Sequence, residues 1–75
     1  MTFTAKYVGK GINKGFYLFA FPPESEGEEV DVVPYRVAEK DLPAIWETIG
    51  KWAQFERYEV KSFNEIRVYV KVATK

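Results

Sequence analysis

Leu42-Pro43-Ala44-Ile45-Trp46-Glu47-Thr48-Ile49-Gly50-Lys51-Trp52-Ala53-Gln54-Phe55, LPAIWETIGKWAQF, is the stretch on which the fold turns. Leu42, Ile45, Trp46, Ile49, Trp52 and Ala53 recur at the i, i+3, i+4, i+7 spacing of one helix face. Asp41 stands where an N-cap belongs, and Pro43 falls in the first turn. Glu47 and Lys51 pair at i, i+4 on the opposite, wet side. The pattern predicts one amphipathic helix from Leu42 to Phe55, with both tryptophans directed at a sheet.

Strand patterns flank it. Phe3, Ala5 and Tyr7 alternate with Thr4, Lys6 and Val8, the period of a strand. The glycines and Asn13 of GKGINKG supply the positive-φ positions of a hairpin turn, which makes FYLFAF (Phe16–Phe21) the antiparallel neighbour of the first strand. Pro22-Pro23 ends it, because proline donates nothing to a ladder. Val30–Val37 reads as a third strand with Pro34 at an edge or bulge. Beyond the helix, Tyr58–Lys61 and Ile66–Val72 are strand-like, joined by a turn or bulge at Ser62–Glu65. The face of Ile66, Val68, Val70 and Val72 belongs under the helix, and the face of Arg67, Tyr69 and Lys71 is left open. The expected fold is therefore α+β, a two-layer sandwich of order ββ(β)αβ(β), in which one antiparallel sheet of four or five strands carries a single amphipathic helix on one face. Residues 1–75 form a single small α+β domain, with an acidic loop at 22–29 expected to be mobile.

Composition limits the chemistry. A chain of 75 residues, 17% of them aromatic, has room for one core and is too apolar for a disordered segment. Such a small domain needs efficient packing or self-association, and without Cys or His it has neither disulfide nor zinc staple. A homodimer is one expectation. The lack of Cys fits a reducing compartment, so a cytoplasmic location is expected, and no apolar run is long enough to span a bilayer.

Net charge is zero but unevenly spread. Lys6, Lys10 and Lys14 stand without acids near the start. Glu24, Glu26, Glu28, Glu29 and Asp31 cluster without bases, and Arg57, Lys61, Arg67, Lys71 and Lys75 outnumber Glu59 and Glu65 toward the end. Pairing of the two ends in one sheet would sum their positive charge on one surface.

Without His or Cys the usual general base, thiol nucleophile and zinc site are missing. Ser25 and Ser62 lie in no nucleophile-elbow pattern, the acidic cluster lacks EF-hand spacing, and GKGINKG lacks the order of a P-loop. No catalytic residue, metal site, cofactor or small-molecule substrate is assigned, and the chain is expected not to be an enzyme.

The segment NKGFYLFAF resembles the central strand of the RNA-recognition motif at Lys14, Gly15, Phe16 and Phe21, with Phe19 in place of a valine. It departs at Tyr17 and at Leu18, where that family carries a stacking ring. Lys6-Tyr7-Val8-Gly9-Lys10 looks like that family's first strand, but the helix and strand that should separate the two segments are replaced by a short turn. A Lys-Gly-Phe strand second in the chain is also similar to cold-shock domains, with Val32-Val33-Pro34-Tyr35 comparable to their next aromatic strand. Those domains have no amphipathic helix like Leu42 to Phe55. The shared segments are short and no family follows from them.

Strand two is apolar on both faces, Phe16 and Leu18 against Tyr17, Phe19 and Phe21, while one helix covers only one side of a sheet. The other face, with Lys6, Lys14, Phe16, Leu18, Arg67, Tyr69 and Lys71, is the candidate binding face. Two readings follow. The first is a small non-enzymatic protein-interaction module, a regulator, inhibitor or adaptor of a size that suits a phage- or plasmid-encoded protein, engaging a protein partner or a second copy of itself. The second is a single-stranded nucleic-acid-binding protein whose aromatic residues stack on bases while its cations meet phosphates.

Overall fold

The computed structural model describes residues 1–23 and 30–73. The chain forms β1 (Thr2–Lys10), β2 (Phe16–Ala20), β3 (Val32–Arg36), a 3-10 turn (Glu39–Asp41), α1 (Leu42–Glu47), β4 (Trp52–Lys61) and β5 (Ile66–Val72). The five strands close into a barrel in the order β1-β2-β3-β5-β4. All neighbours are antiparallel except β3 and β5, which meet in parallel at Arg36 and Tyr69.

Closure depends on β1. Its first half pairs with β4, from Thr2 opposite Glu56 to Lys6 opposite Trp52. Its second half pairs with β2, from Lys6 opposite Ala20 to Lys10 opposite Tyr17. Between Tyr7 and Gly9 the register with β2 slips by one residue, a bulge at Val8 where Gly9 takes φ +147°. Such a bulge bends and twists a strand, and here it turns β1 out of one ladder into the next.

The two-layer sandwich is not what forms. The reason lies in the helix, which stops at Glu47 instead of running to Phe55. The Thr48 hydroxyl donates to the Ile45 carbonyl at 2.7 Å, competing with the next helical hydrogen bond. Gly50 then adopts φ +75°, the left-handed stop that glycine allows, and its N–H donates to the Tyr7 carbonyl on β1. From Trp52 on, the apparent helical stripe is strand. Ala53 and Phe55 point into the barrel, while Trp52 faces out and is 47% exposed. Trp46 meets Tyr7 edge-on with ring centroids 5.6 Å apart, yet 47% of its surface is wet. Thus neither tryptophan is a core residue. Lys51 lies past the helix end, and Asp41 makes no cap hydrogen bond.

A closed sheet buries its inner face on itself, so α1 only has to plug the barrel with fully buried Ile45. The inner face is aromatic. Phe19 meets Phe55 edge-on at 5.1 Å and Tyr7 in a tilted contact at 5.5 Å, with Phe3, Phe21 and Tyr35 packed around them. Val70 is buried from β5 as expected, but Ile66 and Val68 of the same face are exposed because the β4–β5 hairpin runs past the barrel wall. The Ser62–Glu65 turn closes that hairpin, with the Ser62 N–H bonded to the Glu65 carbonyl. The expected acidic loop falls largely on residues 24–29, outside the described residues.

Two stability outcomes follow. Replacing Gly9 with Ala introduces no clash but forces a side-chain-bearing residue into φ +147°, and should lower the unfolding free energy by about 1–3 kcal/mol in urea titration. The Tyr7 hydroxyl is fully buried without a hydrogen-bond partner among the described residues. Tyr7→Phe should therefore raise stability by about 1 kcal/mol in the same assay, whereas a loss would show that the hydroxyl is satisfied.

Candidate functional site

Because the barrel is closed, there is no sheet face opposite a helix; what is available is the outer surface of the barrel. Alternation places Tyr17 and Phe19 inside and therefore Phe16 and Leu18 outside. Strand β3 follows suit, with Val33 and Tyr35 inward and Pro34 and Arg36 outward. Cross-strand partners share a face, so register assembles the outer residues into rows. Phe16 is opposite Arg36, Arg36 is opposite Tyr69, and Tyr69 is opposite Tyr58. One row of three rings and a guanidinium thus crosses β2, β3, β5 and β4, at a strand spacing of about 4.8 Å.

Contacts between neighbouring side chains fix each end of the row, and the backbone bridge of Arg36 with Tyr69 joins the two ends. The Arg36 guanidinium lies 4.6 Å from the centre of the Phe16 ring. Tyr58 and Tyr69 stack with centroids 5.8 Å apart and planes 23° from parallel. The Lys71 ammonium sits 5.3 Å from the Tyr58 ring, and the Tyr58 hydroxyl donates to Asp41 Oδ2 at 3.1 Å. Each cation is drawn to the ring beneath it by the ring's quadrupole, so charge and aromatic surface lie side by side on the barrel exterior. All four row residues are half-buried, so their orientations are supported and part of each surface stays open.

Beside Phe16 the β1–β2 loop rises into a wall. Its turn is tied by Gly11 N–H to the Phe16 carbonyl at 2.8 Å and Phe16 N–H to the Asn13 carbonyl at 3.1 Å. Gly11, Ile12 and Asn13 then border an open hollow of about 240 Å³ whose floor is Phe16, Leu18 and Pro34. Ile12 is fully exposed at the loop tip.

Of the residues proposed from sequence, Phe16, Leu18, Tyr69 and Lys71 belong to this surface, and Lys14 flanks it on the loop. Arg67 shares the outer face of β5 but is engaged by Glu65, with Nη2 2.6 Å from Oε1. Lys6 lies elsewhere: it is on β1, with its ammonium 4.6 Å from the ring centre of Trp52. Sequence reasoning missed Arg36, Pro34 and Tyr58. Tyr58 could have been found, since a turn at Ser62–Glu65 fixes Lys61 against Ile66 and hence Tyr58 against Tyr69. Arg36 required the parallel β3–β5 contact that only closure creates.

Among the described residues no group of three or more His, Cys, Asp or Glu side chains could hold a metal ion, and no helix is long and apolar enough to cross a membrane. The chain matches no protein-family model, no curated protein and no solved structure.

Burial first, and then the Asp41 hydrogen bond and charge, raise the Tyr58 hydroxyl above its ordinary value of 10.0. A proton held more tightly when folded means that this contribution is intact below pH about 10 and is lost as pH climbs through the raised value. Tyr58→Phe should therefore flatten the alkaline decline of stability above pH about 10, read as the melting temperature against pH beside the parent protein.

Proposed function

We propose that this chain is a non-enzymatic module that binds single-stranded nucleic acid across the outer surface of β2, β3 and β5. The observation that carries the reading is the row Phe16–Arg36–Tyr69–Tyr58, three π faces with a guanidinium among them, bordered by the hollow under the β1–β2 loop. Every base has a π face, so a row of partly open ring surfaces accepts a strand without reading its sequence. Phe16 and Tyr69 are the stacking residues, Leu18 and Pro34 take an apolar base or sugar surface, and Arg36, Lys14 and Lys71 meet phosphates.

The architecture supports the reading by analogy. A five-stranded barrel of the OB type binds oligonucleotides and oligosaccharides on its β2–β3 face, between the β1–β2 and β4–β5 loops. Fold alone assigns no function, so the weight rests on the row. Zero net charge implies modest affinity. A reducing, cytoplasmic setting suits a chain without cysteine. The regulator, inhibitor or adaptor reading draws on a different surface, the exposed apolar residues Val60, Phe63, Ile66 and Val68 of the β4–β5 hairpin.

The test is fluorescence anisotropy of labelled single-stranded DNA and RNA, with duplex as control, at several salt concentrations. Three phosphate contacts give a slope of log K against log salt of about −2. Phe16→Ala should weaken binding about tenfold or more, as loss of one stacked base does. Arg36→Ala should weaken it and reduce the slope by about 0.7. Absence of binding at low salt, or binding indifferent to both substitutions, would remove the basis of the reading.

A further inference from the structure

The β4–β5 hairpin projects as an arm. Strand β1 starts opposite Glu56, with the Arg57 N–H bonded to the Met1 carbonyl as the last link between the strands. Past that point, among the described residues, β4 has a partner only in β5. The molecule is correspondingly elongated, 44 Å in its long dimension against 24 Å in the other two. The Arg57 N–H faces β1, so alternation turns the N–H and C=O of Glu59 and Lys61 to the same, open side. An unpaired edge of this kind is a template for another strand. The arm is also apolar where it is most exposed: Phe63 at the turn is 99% accessible, and Val60, Ile66 and Val68 are exposed.

We infer that the arm is a dimerisation element, in which the free edge of β4 pairs antiparallel with the same edge of a second copy of this chain. Charge selects the register. Hydrogen-bonded partners across the junction must both be residues that face the open side, which are Arg57, Glu59 and Lys61. Glu59 against Glu59 sets like charges together and brings Arg57 to Lys61. Lys61 against Lys61 is repulsive as well. Arg57 against Glu59 would drive the second strand along the edge that Met1 already holds. The remaining register sets Glu59 of each copy against Lys61 of the other, two opposite-charge pairs, with Val60 against Val60 between them. Here each chain reaches its Ser62–Glu65 turn as it meets Met1 of the other.

This same register carries Phe63 of the second copy to the level of Arg57. At that level lies a hollow of about 340 Å³ lined by Met1, Arg57, Tyr58, Glu59 and Val68. A fully exposed ring and a hollow at the base of the same arm are thus self-complementary under one two-fold axis, as an isologous dimer requires. The axis is perpendicular to the joined sheet and leaves both outer faces on one side. Tyr58 and Tyr69 of the two copies then flank the Val60 pair, and the two aromatic rows become one surface.

Sedimentation velocity without nucleic acid tests this independently of the binding face. The parent protein should sediment as a concentration-dependent dimer. Lys61→Glu should raise the dissociation constant about tenfold or more with the fold retained by circular dichroism, and Glu59→Lys added to Lys61→Glu should restore the dimer. Val60→Cys should cross-link under oxidation, since non-hydrogen-bonded partners have Cα atoms about 4.5 Å apart, within disulfide reach, and the chain has no other cysteine. A chain that stays monomeric, a dimer indifferent to Lys61→Glu, or one that the double reversal fails to restore would each overturn the proposal, as would a Val60→Cys dimer that does not cross-link.

Discussion

One strand serving two ladders is the constraint on which the structure depends. Strand β1 must give its first half to β4 and its second half to β2, with Lys6 paired to both. A flat strand of nine residues could not do this; the bulge at Val8 and the positive φ of Gly9 let it turn. Once β1 is shared, β2 and β4 flank it on either side, and β3 and β5 have only to meet once, at Arg36 and Tyr69, to close the ring. The inner face then consists of side chains that need no cover from a second layer. A short helix suffices because it fills an end with Ile45 and leaves the face of the sheet alone.

Closure also decides what is outside. An open sandwich would set a whole sheet face toward water. In the barrel each strand instead contributes its alternate residues to the exterior, and strand register brings Phe16, Arg36, Tyr69 and Tyr58 into a line that no single element contains. The stacked tyrosines hold one end of that line and the Arg36–Phe16 contact the other, while the β1–β2 loop gives it a boundary. The binding proposed for this surface would need neither His nor Cys, only π faces to stack on, cations to neutralise phosphate and few rearrangements on contact.

A chain this small has little core to spare, and it spends several apolar residues outside it. Val60, Phe63, Ile66 and Val68 lie on an arm beyond the barrel, where a large part of their apolar surface stays in water within one copy. Joining two arms would set Val60 against Val60, bring Phe63 to the hollow that Val68 borders and extend the aromatic row, so that self-association and ligand binding would draw on adjacent parts of the same two strands.

Local pattern was sufficient for much of this. The alternation of Phe3, Ala5 and Tyr7, the turn glycines after Lys10, the division of Phe16 and Leu18 from Tyr17 and Phe19, and the span Ile66–Val72 were all legible, because a strand's period and a hairpin's turn are set by neighbours in sequence. The placement of Phe16, Leu18, Tyr69 and Lys71 on the outer surface was legible for the same reason. Where local pattern gave the wrong answer was LPAIWETIGKWAQF, whose apolar spacing fits a helix throughout and predicts one, although its second half also alternates as Trp52, Ala53, Gln54 and Phe55 and forms the start of β4. Tertiary structure settled it: Gly50 hands its N–H to Tyr7, β4 pairs with both β1 and β5, and the hydrogen bonds of two ladders outweigh continuation of one helix. Arg36 entered the site by the same route, since its neighbour Tyr69 lies far along the chain and only ring closure brings the two together.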